Sequence, residues 1–105
     1  MISKKIIDLA RSKAGQSTCT FRVSAIGLNR AGDVIGTACN MRGHNGKGMG
    51  LHAEINLLRK FGRKIRTAII CRVGGTGNLL PIHPCNTCSK VYSRLGIDIL
   101  TVEAK

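Results

Sequence analysis

Aromatic residues are nearly missing from this sequence. Phe21, Phe61 and Tyr92 are all there are, and there is no tryptophan. Carboxylates are almost as scarce, five against 17 Lys and Arg, which leaves a formal charge of +12 and a sequence pI near 10.3. No apolar run approaches the roughly 18 residues of a membrane-spanning helix. The opening residues, Met1-Ile2-Ser3-Lys4-Lys5-Ile6-Ile7-Asp8, carry no long apolar stretch behind their charges. No secretory leader is therefore expected, and the expected location is cytoplasmic. Internal repeats are absent too, which excludes a solenoid or a fibre. The 105 residues are expected to form a single domain, 1–105, with a small core. A hydrophobic content of 43% is enough for that core and too much for a disordered tail. The five cysteines, Cys19, Cys39, Cys71, Cys85 and Cys88, are odd in number. In a chain read as cytosolic they argue against a disulfide framework.

What the chain has in excess is positive charge, and a small domain at +12 attracts polyanions. The densest run is Arg59-Lys60-Phe61-Gly62-Arg63-Lys64-Ile65-Arg66. Arg42 and Lys47 form a second group in a glycine-rich stretch. Arg42, Lys47, Arg59, Lys60, Arg63, Lys64 and Arg66 are thus the candidates for contacting nucleic-acid phosphates. The few aromatics weigh the other way, because single-strand binders stack bases on aromatic side chains. Neither glycine-rich piece, Gly43 to Gly48 or Gly74 to Gly77, has the spacing of a nucleotide-triphosphate loop. Residues 41–50 read instead as a mobile lid.

Hydrophobic spacing predicts a helix over 3–13, capped by Ser3, with Ile6, Ile7, Leu9 and Ala10 on one side. Two β-prone stretches, 19–28 and 34–39, flank a turn and read as a hairpin. A helix follows from Leu51 to Phe61, with Leu51, Ile55, Leu58 and Phe61 inward. Then come a buried strand over 67–73, a third helix over 85–95 and a last strand over 97–102. Cys19, Cys39 and Cys71 sit in these apolar contexts and read as small buried hydrophobes. The order α-β-β-α-β-α-β predicts a three-layer α/β domain, helices on both faces of a mixed sheet of about four strands.

The chemistry-bearing residues fall at two helix starts. His52-Ala53-Glu54 opens the second helix, and Pro84-Cys85-Asn86-Thr87-Cys88 opens the third. In an α-β-α unit both helices can start at the same edge of the sheet, which brings His52, Cys85 and Cys88 together. Cys85 and Cys88 are three apart and share a helical face. Free N–H groups at a helix start favour thiolates. One imidazole and two thiolates give Zn²⁺ three protein ligands, with a fourth position for water as in catalytic sites. A carboxylate two residues from a ligand, Glu54, can stand beside that water without binding the ion. Other readings stay open at this point. His44 or His83 could complete a structural zinc site, and the two cysteines could form a redox pair.

His-x-Glu followed by Pro-Cys-x-x-Cys is the signature of zinc nucleobase deaminases. On His52-Ala53-Glu54 and Pro84-Cys85-Asn86-Thr87-Cys88, the chain resembles the cytidine deaminase-like superfamily, and the order of elements extends the likeness over roughly residues 3–102. The resemblance implies a cytidine deaminase-like fold and a Zn²⁺ cofactor on His52, Cys85 and Cys88. It makes Glu54 the catalytic proton shuttle in hydrolysis of cytosine to uracil. An inactive member of the fold is the bland version of that reading. The resemblance also names Asn40 as a sugar contact and Ala53 as part of the pocket floor. The carbonyl of His83, just before Pro84, becomes the acceptor for the exocyclic amine; relatives often carry Ser or Glu there. A homo-oligomer, dimer or tetramer, is implied as well. The charge places the cytosine in single-stranded nucleic acid by a small margin. Free cytidine, deoxycytidine or (d)CMP is the alternative, with adenosine in RNA or a non-catalytic nucleic-acid-binding module behind it.

Overall fold

The computed structural model describes residues 2–19, 21–41 and 52–102. Helix α1 (Lys4–Gly15) starts where the Ser3 hydroxyl accepts a hydrogen bond from the Ile6 amide. Strands β1 (Arg22–Leu28) and β2 (Val34–Cys39) form the expected antiparallel hairpin. The first strand begins at Arg22 rather than at Cys19. Helix α2 (Ala53–Phe61) runs into a single 3₁₀ turn (Gly62–Lys64), and β3 (Thr67–Val73) follows. Then come β4 (Leu79–Leu80), α3 (Asn86–Leu95) and β5 (Asp98–Thr101). Gly96, at a φ of 70°, ends α3 in the left-handed conformation that glycine adopts without strain.

The sheet has five strands, not about four. β1 lines one edge of β3 along its whole length, from Arg22 opposite Val73 to Leu28 opposite Thr67. The other edge of β3 is shared. β5 runs parallel beside residues 67–70, and β4 runs antiparallel beside Arg72 and Val73. The extra strand is a two-residue ladder, too short to show as a period in the sequence. It turns the chain back so that residues 81–84 deliver α3 to the end of the sheet where β3 finishes.

Alternation along β3 sorts the core into two layers. Ala68 and Ile70 point with Val23 and Ala25 toward Ala53 and Leu57 of α2 and Tyr92 of α3. Ile69, Cys71 and Val73 point with Ile26 toward Ala10 and Ala14 of α1. The result is the expected three-layer arrangement, α1 on one face and α2 with α3 on the other. The Ser24 hydroxyl donates to the Ala10 carbonyl at 2.7 Å and ties α1 to the sheet. Phe61 lies over Gly36, where any Cβ would overlap its ring.

Some inward positions differ from the expectation. In α2 the buried stripe is Ala53, Glu54, Asn56 and Leu57, while Ile55, Leu58 and Phe61 are half-buried. Leu9 is exposed, because the stripe of α1 runs through Ala10 and Ala14. Cys71 is buried, whereas Cys19 and Cys39 are half-exposed near the ends of their segments. Leu51, Arg42, Lys47, His44 and the lid expected over 41–50 lie outside the described residues, Met41 apart. No helix among the described residues is long and apolar enough to cross a membrane.

Candidate metal centre

The two helix starts meet. His52 is the N-cap of α2 and Cys85 the N-cap of α3, both in extended backbone. His52 makes no capping hydrogen bond with its ring, which leaves the imidazole free to face the sulfurs. Its Nδ1 lies 3.4 Å from Cys85 Sγ and 3.5 Å from Cys88 Sγ. Bonds of about 2.0–2.1 Å to nitrogen and 2.3 Å to sulfur at tetrahedral angles require an N···S separation of roughly 3.6 Å. The three ligand atoms all lie within 4.8 Å of one another, and no other group of three metal-ligating side chains exists among the described residues. His83 is exposed and stands outside the cluster.

The charges around the cluster call for a cation. Glu54 is a carboxylate only 5% exposed. Burial pushes the Cys88 thiol well above the ordinary range, and hydrogen bonding to Cys85 and the nearby Glu54 carboxylate push the same way. A buried carboxylate beside two sulfurs is costly unless a positive charge offsets it. The Cys88 amide donates to Cys85 Sγ at 3.3 Å, the kind of contact that favours a thiolate. Two thiolates, one imidazole and a short N···S spacing fit Zn²⁺ better than a hard cation, which would select oxygen ligands.

Two residues given no role from the sequence, Tyr92 and Asn56, brace this geometry, and a third, Arg72, lies on the same face of the sheet. Tyr92 of α3, buried beneath the site, donates its hydroxyl to the Glu54 backbone carbonyl at 2.7 Å. Its phenol is pushed up by burial first, then by the Glu54 and Cys88 charges. Asn56, one turn along α2, donates to the Cys39 carbonyl at 3.0 Å and ties the helix to β2. Arg72 stands opposite Val23 and therefore on the face of the sheet that carries α2 and α3. Its guanidinium stacks 3.8 Å from the centroid of Phe21, and its Nε–H is buried without a partner among the described residues. A lone buried tyrosine or a strand arginine leaves no periodic or motif signal from which these roles could be read.

Asn40 closes the end of β2 next to the site. Its side-chain oxygen accepts from the Ser17 hydroxyl at 2.7 Å and from the Val23 amide at 3.0 Å. Its amide donates to the Phe21 carbonyl. Ala53 is wholly buried in the core layer between α2 and the sheet, and Pro84 is half-buried beside Cys85. Arg59, Lys60, Arg63, Lys64 and Arg66 are all exposed, at the far end of α2 and beyond it. The basic run and the metal centre do not come together.

A three-layer α/β domain with a His-Cys-Cys centre and a carboxylate set against it is the arrangement of the zinc-dependent nucleobase deaminases. The chain belongs to the family described as the cytidine and deoxycytidylate deaminase zinc-binding region, whose match covers residues 2–104. Among solved structures it resembles cytidine deaminase from Burkholderia pseudomallei, at 19% identity and a TM-score of 0.68, over 98% of this chain and 87% of that one. Cytidine deaminase from Mycobacterium tuberculosis is 25% identical with a TM-score of 0.63, over 97% and 86%. The dCMP deaminase of cyanophage S-TIM5, solved with dCMP and dUMP, is 17% identical with a TM-score of 0.58, over 96% and 83%. A search of curated proteins finds no match.

Proposed function

We propose that this protein hydrolyses the exocyclic amine of cytosine in a free nucleoside or nucleotide, giving uracil and ammonia. The observation that carries the reading is the buried Glu54 carboxylate set against Cys88 within the His52, Cys85 and Cys88 cluster. When bound, zinc supplies Lewis acidity that makes water a nucleophile near neutral pH. Glu54 accepts the proton that water loses on attacking C4 and delivers it to the ring nitrogen N3, then takes the remaining proton from the new C4 hydroxyl and gives it to the departing amine. The carbon–nitrogen bond breaks as the C4 carbonyl forms, so atoms and protons balance with one water consumed. Tyr92 and Asn56 keep the first turn of α2, and with it Glu54, at a constant distance from the ligands. The His83 carbonyl is the acceptor proposed for the amine, and Asn40 offers its second amide hydrogen to the sugar.

The position of the basic run favours a small substrate. α2 starts at the ligands, and the run begins at Arg59 in its last turn, about 9 Å further along the helix axis. A strand with its cytosine in the site does not meet those cations through the next nucleotide. Arg72 lies at the metal end of the sheet on the face that carries α2 and α3, and its unpartnered Nε–H suits a substrate phosphate.

Assays of ammonia release from cytidine, CMP, dCMP and a cytosine-bearing oligonucleotide test the proposal. Turnover of the first three, with the oligonucleotide ignored, is expected. Preferential turnover of the oligonucleotide returns the reading to a polynucleotide deaminase. Glu54→Ala is expected to keep zinc and lose about 10²–10⁴ in rate, the range of general acid–base catalysis. Full activity in that variant removes the role given to Glu54.

A further inference from the structure

The end of the molecule opposite the metal centre is a cationic pole. Arg59 and Lys60 close α2, Arg63 and Lys64 form the 3₁₀ turn, and Arg66 leads into β3. The Arg66 amide donates to the Leu28 carbonyl, so this run lies against the end of β1 that is farthest from Asn40. Arg30, in the turn between β1 and β2, and Arg94, in the last turn of α3, belong to the same end. All seven cations are exposed. Among the described residues only the carboxylates of Asp33 and Asp98 share this pole.

Helix energetics explain part of this charge and leave the rest. Cations in the last turn of a helix complement its dipole, which accounts for Arg59, Lys60 and Arg94. Arg30, Arg63, Lys64 and Arg66 lie outside any α-helix and gain nothing from that source. Crowding like charges costs stability, so a surface that gathers them needs another use. Among the described residues, the patch's exposed apolar side chains are two aliphatic ones on different elements, Leu95 beside Arg94 at 41% and Val34 after the β1–β2 turn at 42%. Ile65 is buried, while Leu58 and Phe61 pack against the core rather than project from it. A membrane-inserting helix or a protein hot spot calls for a contiguous apolar face with aromatic anchors, which two aliphatic side chains on separate elements do not supply. No aromatic side chain stands out for a base to stack on.

We propose that this pole grips the phosphate backbone of nucleic acid without reading its bases, and does so independently of deamination. Arginine predominates, and its planar fork suits phosphate oxygens. Binding at one end of α2 leaves the ligand cluster at the other end free for a small substrate. Nucleic acid would then hold the enzyme in place rather than be its substrate.

Fluorescence anisotropy with a labelled duplex and a labelled single strand, over a salt series, tests this. About five neutralised phosphates give a slope of log K against log salt of about −4.5 for a duplex and about −3.5 for a single strand. The triple variant Arg30→Glu, Arg63→Glu, Arg94→Glu is expected to bind at least tenfold more weakly and with a shallower slope. Its turnover of cytidine should match wild type, and its melting temperature should fall by no more than several degrees, the cost of losing the Arg94 contact with the end of α3. The corresponding triple Arg→Lys variant, which keeps the charge and guards against misfolding, should retain binding. Unchanged affinity in the charge-reversed protein overturns the proposal. So does displacement of the oligonucleotide by saturating uridine, which would put the strand in the metal site. Binding to phosphatidylserine vesicles with none to nucleic acid overturns it as well. The binding readings need no active enzyme, so the proposal and the proposed deamination fail separately.

Discussion

Replacing Tyr92 by Phe tests whether the metal site is braced from below. The hydroxyl donates to the Glu54 carbonyl at 2.7 Å, and the ring is 1% exposed. Phenylalanine fills the same space less one oxygen, so no large cavity opens. The Glu54 carbonyl also keeps its place in the helical hydrogen-bond ladder, as the fourth residue before Leu58. The cost is therefore the net value of one buried hydrogen bond, about 0.5–1.5 kcal/mol, and not the larger penalty of an orphaned group. For a domain of this size about 1 kcal/mol lowers the melting temperature by roughly 4–8 °C. Because the bond ends on the backbone of Glu54, the loss also loosens the carboxylate. Small misplacements at a reacting centre cost rate steeply, so kcat for cytidine should fall severalfold while KM and zinc content hold. Thermal melts, zinc analysis and ammonia release on the same preparation read all three. A variant that melts and turns over like wild type refutes the brace. One that loses zinc instead shows that Tyr92 supports the ligands rather than Glu54.

The remaining expectations are simpler to read. Cys88→Ser should abolish stoichiometric zinc, measured by atomic absorption, because a neutral hydroxyl replaces the buried thiolate. Arg72→Ala should raise KM for CMP tenfold or more while leaving KM for cytidine nearly unchanged, and equal effects on both remove the phosphate role. Gly36→Ala forces a methyl into the Phe61 ring and should cost about 1–3 kcal/mol by overpacking, most of it recovered when Phe61→Leu is added. Burial pushes the Cys71 thiol up from 9.0 to about 11, slightly opposed by Arg11. The folded state thus holds this proton more tightly than the unfolded chain. That share of stability is complete below pH 9 and disappears between about pH 9 and 11. Urea melts across that window should fall less steeply for Cys71→Ala than for wild type.

The ligands were legible because their chemistry tolerates few residue types and little variation in spacing. His52, Glu54, Cys85 and Cys88 each sit at a helix start that the sequence marks locally, by the glycine-rich stretch before α2 and by Pro84 before α3. The layers were legible through period, since Ala68 and Ile70 alternate with Ile69, Cys71 and Val73. What escaped depends on partners distant along the chain. Tyr92 meets Glu54 across 38 residues, and Asn56 meets Cys39 across 17, with no pattern around either to announce the contact. β4 is defined by register against Arg72 and Val73, not by its own two leucines.

The basic run is a different case, because its location along α2 follows from where that helix begins and ends. A helix that begins at a metal ligand and carries its cations in its last turn must hold their backbone about 10–12 Å along its axis from that ligand, whatever the tertiary fold. Net charge drew attention to a polyanion, and the motif drew attention to a cytosine. Joining the two into one strand substrate required them to share an end of the molecule. Helix direction alone separates them. Charge counted over a whole chain therefore identifies a class of partner, but only its position relative to the reacting groups says whether that partner is the substrate.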